Sequence, residues 1–170
     1  AEFYDLLDSL GRLDTYTKLS MNDYKALQDA DVVITAFGDI KALADGGNRF
    51  LEYSFNCQQA KQVGTALKEA GFHGVLINIS DPCDVITGLL QHYTGLSRQQ
   101  VFGTGTFLDT ARMQRAVSMS LDQNPHNIAG YVLGEHGESQ FAAWSTITVQ
   151  DEPITEIAKD QHLELSELDK

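Results

Sequence analysis

The sequence predicts an α/β protein, a parallel sheet with flanking helices, on three observations. Asp31-Val-Val-Ile-Thr35 and Gly74-Val-Leu-Ile-Asn-Ile79 are short, nearly continuous apolar runs with β-branched residues. That is the composition of strands covered on both faces. Segments with apolar residues at helical spacing alternate with these runs. Gly71 and Gly95 stand just past the ends of two such segments, where a helix stop is expected. Strand–helix alternation of this kind builds a sheet by right-handed crossovers.

Taken in order, Phe3, Leu6, Leu7 and Leu10 form one helical stripe opposite Asp5, Asp8 and Ser9, with a stop at Gly11. Tyr16 to Leu19 predicts a short strand and Asn22 to Ala30 a short helix or turn. The strand from Asp31 leads through Ala36-Phe-Gly38 into a polar loop ending Asp45-Gly-Gly-Asn-Arg49, a candidate lid. Phe50 to Ala70 predicts a long helix with Ala60, Val63, Leu67 and Ala70 on one stripe. The strand at Gly74 to Ile79 is broken by Ser80-Asp81-Pro82. Val85, Ile86, Leu89, Leu90 and Tyr93 then mark a helix ending near Gly95. Gln100-Val-Phe-Gly predicts a third strand and Thr106 to Leu121 a helix. Ile128 to Leu133 and Ala142 to Val149 predict two further strands, and Asp160 to Lys170 is polar with a helical pattern.

With 170 residues, 42% of them hydrophobic, the chain is long enough for a real core. Its formal net charge of -12, from 12 basic and 24 acidic residues, argues against nucleic acid or an anionic membrane as partner. No apolar run reaches the length of a membrane span, and the acidic, amphipathic start is unlike a signal peptide. Cys57 and Cys83 show no pairing pattern, so a reduced, cytoplasmic setting is expected.

The chemistry concentrates between Gly103 and Ser139. Asp109 and Arg112 are three apart, so on a helix they project from one face. His136 lies in Gly134-Glu-His-Gly-Glu-Ser139, whose glycines permit close backbone approach. A carboxylate that orients an imidazole, beside a guanidinium that grips a carboxylate, can move a proton on an anionic substrate. In isolation the Asp109–Arg112 pair would read as a surface ion pair, and His136 as a structural loop histidine. Ligands of open sheets sit beyond the carboxyl ends of the strands. Thr35 to Gly38, Ser80 to Pro82 and Gly103 to Asp109 occupy such exits and are expected to crowd one crevice.

These motifs resemble the lactate/malate dehydrogenase family. The matching stretches are Thr-Gly-Thr-Phe-Leu-Asp-Thr-Ala-Arg (104 to 112), Gly-Glu-His-Gly-Glu-Ser (134 to 139) and Ile-Ser-Asp-Pro-Cys-Asp (79 to 84). Asp31-Val-Val-Ile-Thr35 and Gly-Phe-His-Gly-Val-Leu-Ile (71 to 77) match as well. Within the family the likeness is greatest to its L-2-hydroxyisocaproate dehydrogenase branch, which handles branched or bulky 2-hydroxy acids. The resemblance implies a partial Rossmann-like parallel sheet over residues 1–105, the dinucleotide-binding domain, and the start of an α+β catalytic domain over 106–170. It implies NAD as cofactor, and reversible hydride transfer between NADH and a small 2-oxo or 2-hydroxy monocarboxylic acid. A homo-oligomer, dimer or tetramer, is implied too. By resemblance, His136 is the general acid/base, Asp109 holds the imidazole and stabilises its charged form, and Arg112 clamps the substrate carboxylate. Arg49 closes over the substrate and polarises its carbonyl. Thr35, Ala36, Phe37, Gly38, Ile79, Ser80 and Asp81 touch the cofactor, Asp81 also facing the substrate.

Two departures from the family pattern matter. Asp81 stands where the family carries an Asn whose amide donates to the substrate oxygen. An ionised carboxylate only accepts, and it repels an anionic substrate. The family's opening Gly-x-Gly-x-x-Gly unit is also missing. Gly103-Thr-Gly105-Thr-Phe-Leu108 has two of the glycines but Leu at the third position. The chain is therefore expected to be an internal piece of such an enzyme, with an inactive folding or interaction unit as the alternative. Lys41-Ala-Leu-Ala fills the lid region where malate enzymes carry an extra Arg, which favours a monocarboxylate. A metal hydrolase built on Glu135, His136 and Glu138 is the rival from another class. Those residues lack paired-His spacing on a helix, so no metal site is expected.

Overall fold

The computed structural model describes residues 2–12, 16–39, 50–137, 139–162, 164 and 165. The chain divides into two compact units, Ala1–Phe102 and Gly103–Lys170.

The first unit contains α1 (Glu2–Arg12), β1 (Val32–Thr35), α2 (Phe50–Ala70), β2 (Val75–Asn78), α3 (Cys83–Thr94) and β3 (Val101–Gly103), with a 3-10 turn at Tyr24–Leu27. The strand order is β1-β2-β3, and β1 pairs with β2 in parallel, Val33 opposite Leu76 and Thr35 opposite Asn78. Parallel neighbours need a crossover, and the 21-residue helix α2 supplies it between β1 and β2. Its stripe works as its spacing suggests: Ala60 and Leu67 are fully buried against Leu76, Ile86, Leu90 and Val101. Leu67, Leu76, Ile86 and Leu90 are wholly removed from water, and each such side chain contributes about 1.5–3 kcal/mol. α3 stops where Gly95 donates its N–H to Gln91 O.

Two expectations fail in this unit. Residues 16–20 form no strand, and Tyr16 is fully exposed. Among the described residues the sheet of this unit consists of β1, β2 and β3, and none of them pairs with this stretch. The strands are also not covered on both faces among the described residues. α2 and α3 pack on the face that carries Val33, Leu76 and Val101, while Val32, Ile34 and Phe102 of the opposite face stay exposed.

The second unit contains α4 (Phe107–Leu121), β4 (Ile128–Ala129), β5 (Val132–Leu133), β6 (Phe141–Ala142), β7 (Thr148–Val149), β8 (Glu152–Pro153) and α5 (Ile154–Gln161). One antiparallel sheet has the order β4-β7-β8, and β5 and β6 form a separate antiparallel pair. The core is Met113 and Val117 of α4 with Ile128, Val132, Ile147, Val149 and Ile154.

Here the two long strands expected at 128–133 and 142–149 are each split. Gly130 has φ +126, and a Cβ there would lie 2.6 Å from Ile147 Cγ1. The chain turns at this point, so Ile128 and Val132 join different sheets. A 3-10 turn at Trp144–Thr146 divides β6 from β7 in the same way. Of the polar C-terminal segment, residues 160 and 161 belong to α5 and Leu165 lies in a 3-10 turn, while residues 163 and 166–170 lie outside the described residues.

Candidate active site

The first turn of α4 sets up the site in the second unit. Thr106 occupies the N-cap position without a side-chain cap bond, and Asp109 sits in the first turn, where the helix dipole favours a negative charge. Arg112, three residues on, reaches back along the same face, its Nη1 donating to Asp109 Oδ1 at 3.2 Å. Asp109 is 5% exposed while the Arg112 side chain is 64% exposed. The carboxylate is therefore a fixed internal acceptor, and the guanidinium keeps its remaining donors turned to solvent.

His136 comes from a different element. β5 runs up to Gly134, whose φ is +97, and a Cβ at that position would meet Ser139 O at 2.7 Å. Only glycine closes the loop this tightly. Gly137 N donates to Gln140 Oε1, pinning the far side. The imidazole, 19% exposed, places Nδ1 2.5 Å from Asp109 Oδ2. An ionised carboxylate only accepts, so Nδ1 carries the hydrogen and donates it. Nε2 is left with no protein partner among the described residues.

Burial works to raise the Asp109 pKa. The hydrogen bond and charge of His136, followed by those of Arg112, outweigh burial and hold the carboxyl below its ordinary value. The triad of Asp109, Arg112 and His136 thus assembles as the sequence motifs suggested. The pieces can present an oriented proton donor or acceptor beside an exposed planar cation.

The first unit brings two of the strand exits together. Ile79 N donates to Thr35 O at 3.0 Å, and Phe37 N donates to Ser80 Oγ at 2.8 Å. Thr35 and Ser80 are buried, whereas Ala36, Gly38 and Ile79 are exposed beside them. Asp81 is half-buried, and its backbone carbonyl accepts from Asn56 Nδ2 at 2.6 Å. The third exit, Gly103 to Asp109, belongs to the second unit. Arg49 and Lys41 of the expected lid, and Glu138 of the loop, lie outside the described residues.

Both halves of the chain match models of known domains. Residues 1–103 match the lactate/malate dehydrogenase NAD binding domain, and residues 106–170 match the lactate/malate dehydrogenase alpha/beta C-terminal domain. The chain belongs to the lactate/malate dehydrogenase family. It is 35% identical over 167 residues to the L-lactate dehydrogenase of Mycoplasma capricolum, a match covering 98% of this chain and 52% of that protein. The structure of the minor L-lactate dehydrogenase from Enterococcus mundtii in its ligands-bound form superposes with a TM-score of 0.87 at 35% identity, over 97% of this chain and 53% of the other. That of the Eimeria maxima lactate dehydrogenase with NADH and oxamate gives 0.83 at 26%, over 98% and 50%. The chain spans about half the length of the curated relatives it matches.

Two buried amides that support the strand exits, Asn78 in β2 and Asn56 in α2, were not singled out by the motifs. Asn78 is wholly buried. Its Oδ1 accepts from Thr35 Oγ1 and Ser80 N, and its Nδ2 lies 3.0–3.2 Å from Ser80 O, Cys83 O and Thr87 Oγ1. Asn56, also wholly buried, ties α2 to the backbone of Asp81. Asn78 did leave a signal, a lone amide inside an apolar strand. Asn56 left none, being one polar residue among several on a long helix. No helix among the described residues is long and apolar enough to cross a membrane. Among those residues no three His, Cys, Asp or Glu side chains cluster as metal ligands would.

Proposed function

We propose that the protein acts as an NAD-dependent L-2-hydroxycarboxylate dehydrogenase, interconverting a small 2-oxo monocarboxylic acid and its L-2-hydroxy form. Lactate-like or 2-hydroxyisocaproate-like substrates suit it best. One observation carries this reading: His136 Nδ1 is locked on a buried Asp109 while Arg112, on the same turn of helix, stays exposed.

In the reductive direction Arg112 grips the substrate carboxylate through paired N–H donors, which a guanidinium does better than an ammonium. His136 delivers a proton from Nε2 to the oxygen that becomes the hydroxyl, and takes it back in the oxidative direction. Asp109 keeps the ring in the tautomer that makes Nε2 the exchanging nitrogen and stabilises the imidazolium. Positioned proton transfer of this sort is worth about 10²–10⁴-fold in rate. Arg49 is assigned the closing role over the substrate.

The cofactor reading rests on the first unit. The exposed, small Ala36 and Gly38 and the exposed Ile79 lie over a buried network of Thr35, Asn78 and Ser80, which suits a flat group resting on a rigid floor. Thr35, Ala36, Phe37, Gly38, Ile79, Ser80 and Asp81 would hold it. When bound, the dinucleotide would supply or accept the hydride. On this reading residues 1–105 serve the dinucleotide and 106–170 the substrate, in a cytoplasmic homo-oligomer.

The test is consumption of NADH with pyruvate or 2-oxoisocaproate, alongside a fluorescence titration with NADH. Saturable binding and turnover that disappears in His136→Ala support the reading. Absence of both supports the second reading, an inactive folding or interaction unit. Asp81 favours that second reading, since it places an acceptor where an amide donor belongs.

A further inference from the structure

We propose that Thr106 and Thr110 are positioning residues, whose hydroxyls clamp Val132 from both sides and so fix how His136 meets Asp109. The catalytic meaning of this rests on the dehydrogenase reading, but the geometry does not.

A strand residue sends its N–H and C=O to the same side, and successive residues alternate sides. Just before β5, Tyr131 O accepts from Ala143 N, so the Tyr131 carbonyl faces the β6 side. Val132, opposite Ala142, must then turn both of its backbone polar groups away from β6 and toward α4. Among the described residues no strand pairs with that side of β5. Two threonines do: Thr106 Oγ1 donates to Val132 O at 2.6 Å, and Thr110 Oγ1 accepts from Val132 N at 3.0 Å. They are four apart on α4, the spacing that puts two side chains on one face, and Asp109 lies between them in sequence.

The side chain of Val132 is 6% exposed and belongs to the core of its unit. Its backbone groups would otherwise go unpaired in a nearly dry place, which is costly. The clamp is thus the point where β5 is fastened to the helix that bears Asp109. His136 follows four residues later, across Gly134, whose close approach to Ser139 O leaves the loop little slack. Fixing Val132 fixes the base of that loop. The short contact between His136 Nδ1 and Asp109 Oδ2 then follows from the placement of β5, since the imidazole has no other described partner to hold it.

The test reads Asp109 itself and needs neither substrate nor cofactor. In the full chain, the Asp109 carboxyl is titrated by carbon-13 NMR in wild type, Thr110→Val, Thr106→Val and Thr110→Ser. Valine keeps the shape and removes the hydroxyl. With His136 no longer held in place, the Asp109 midpoint is expected to rise by about one pH unit in either valine variant, and serine is expected to restore it. A folded valine variant whose midpoint stays put overturns the proposal. So does a serine variant that behaves like valine. Loss of the fold in both valine variants also rejects it, because the hydroxyls would then be general scaffold. A midpoint that shifts in the variants, together with a wild-type chain that never turns over a 2-oxo acid, would refute the dehydrogenase reading and leave the clamp standing.

Discussion

Asp109→Asn changes two atoms' chemistry and almost no volume, so it isolates what the charge does. The carboxylate is 5% exposed and contacts His136 Nδ1 at 2.5 Å and Arg112 Nη1 at 3.2 Å. When His136 is protonated, the two unit charges lie about 4 Å apart, centre to centre. At an effective dielectric constant of about 20 their attraction is about 4 kcal/mol. An amide forfeits that, and each 1.36 kcal/mol is tenfold in rate, so kcat is expected to fall about a thousandfold. A second loss is possible in kind: if the Asn side chain turns its NH2 toward the ring, Nδ1 becomes an acceptor and Nε2 holds the hydrogen. The ring could then no longer accept a proton from a 2-hydroxy acid, and the oxidative direction would suffer more than the reductive. Both rates should be measured over pH with NADH binding checked in parallel, since Asp109 lies outside the unit proposed to hold the cofactor. A variant within threefold of wild type in both directions, at unchanged pH dependence, would refute the reasoning.

Other expectations follow from the same geometry. Arg112→Lys keeps the charge but loses the two-pronged donor set, so KM for the 2-oxo acid should rise about tenfold or more with NADH affinity unchanged in a fluorescence titration. On the proposed reading, Asp81→Asn places an amide donor where an acceptor now faces the substrate. Turnover of 2-oxoisocaproate should increase, and an Asn variant no faster than wild type would show that Asp81 does no harm. Gly134→Ala forces a side chain into a φ of +97 with Ser139 O 2.7 Å away. It should cost about 2–3 kcal/mol and lower the melting midpoint by roughly 5–10 °C. Finally, Asp109 has a folded pKa below its unfolded value, so its contribution to stability is complete above about pH 4 and fades as pH falls toward the folded pKa. Denaturant midpoints taken from pH 6 down to 2 should fall more steeply in wild type than in Asp109→Asn.

Much of the site was readable before any coordinates. The i, i+3 spacing of Asp109 and Arg112 fixes their shared face whatever packs around them, and the glycines beside His136 announce a tight loop. The apolar runs at Val32–Thr35 and Val75–Asn78 and the long stripe of α2 are periodic over enough residues to be unambiguous. What escaped was non-periodic. Strands of two residues, as in β4 through β8, carry no alternation to detect. The break at Gly130 depends on how near Ile147 comes, which is a fact of packing and not of local sequence. The roles of Thr106 and Thr110 exist only because a strand some 22 residues later leaves its polar groups facing them. Coverage of the sheet on both faces was inferred from composition alone, and Val32 and Ile34 show that an apolar run does not itself say what shields it.

Asn78 has consequences for which nearby positions can change. Its amide nitrogen has two hydrogens and three acceptors within reach: Ser80 O, Cys83 O and Thr87 Oγ1. Position 87 can therefore drift to an apolar residue of similar bulk without stranding a polar hydrogen, because the surplus acceptor absorbs the loss. Position 78 has less to spare: its oxygen accepts from Ser80 N and, at 3.1 Å, from Thr35 Oγ1, whose other acceptor, Ile77 O, lies at 3.5 Å. Substitution is cheap at one end of the contact and expensive at the other.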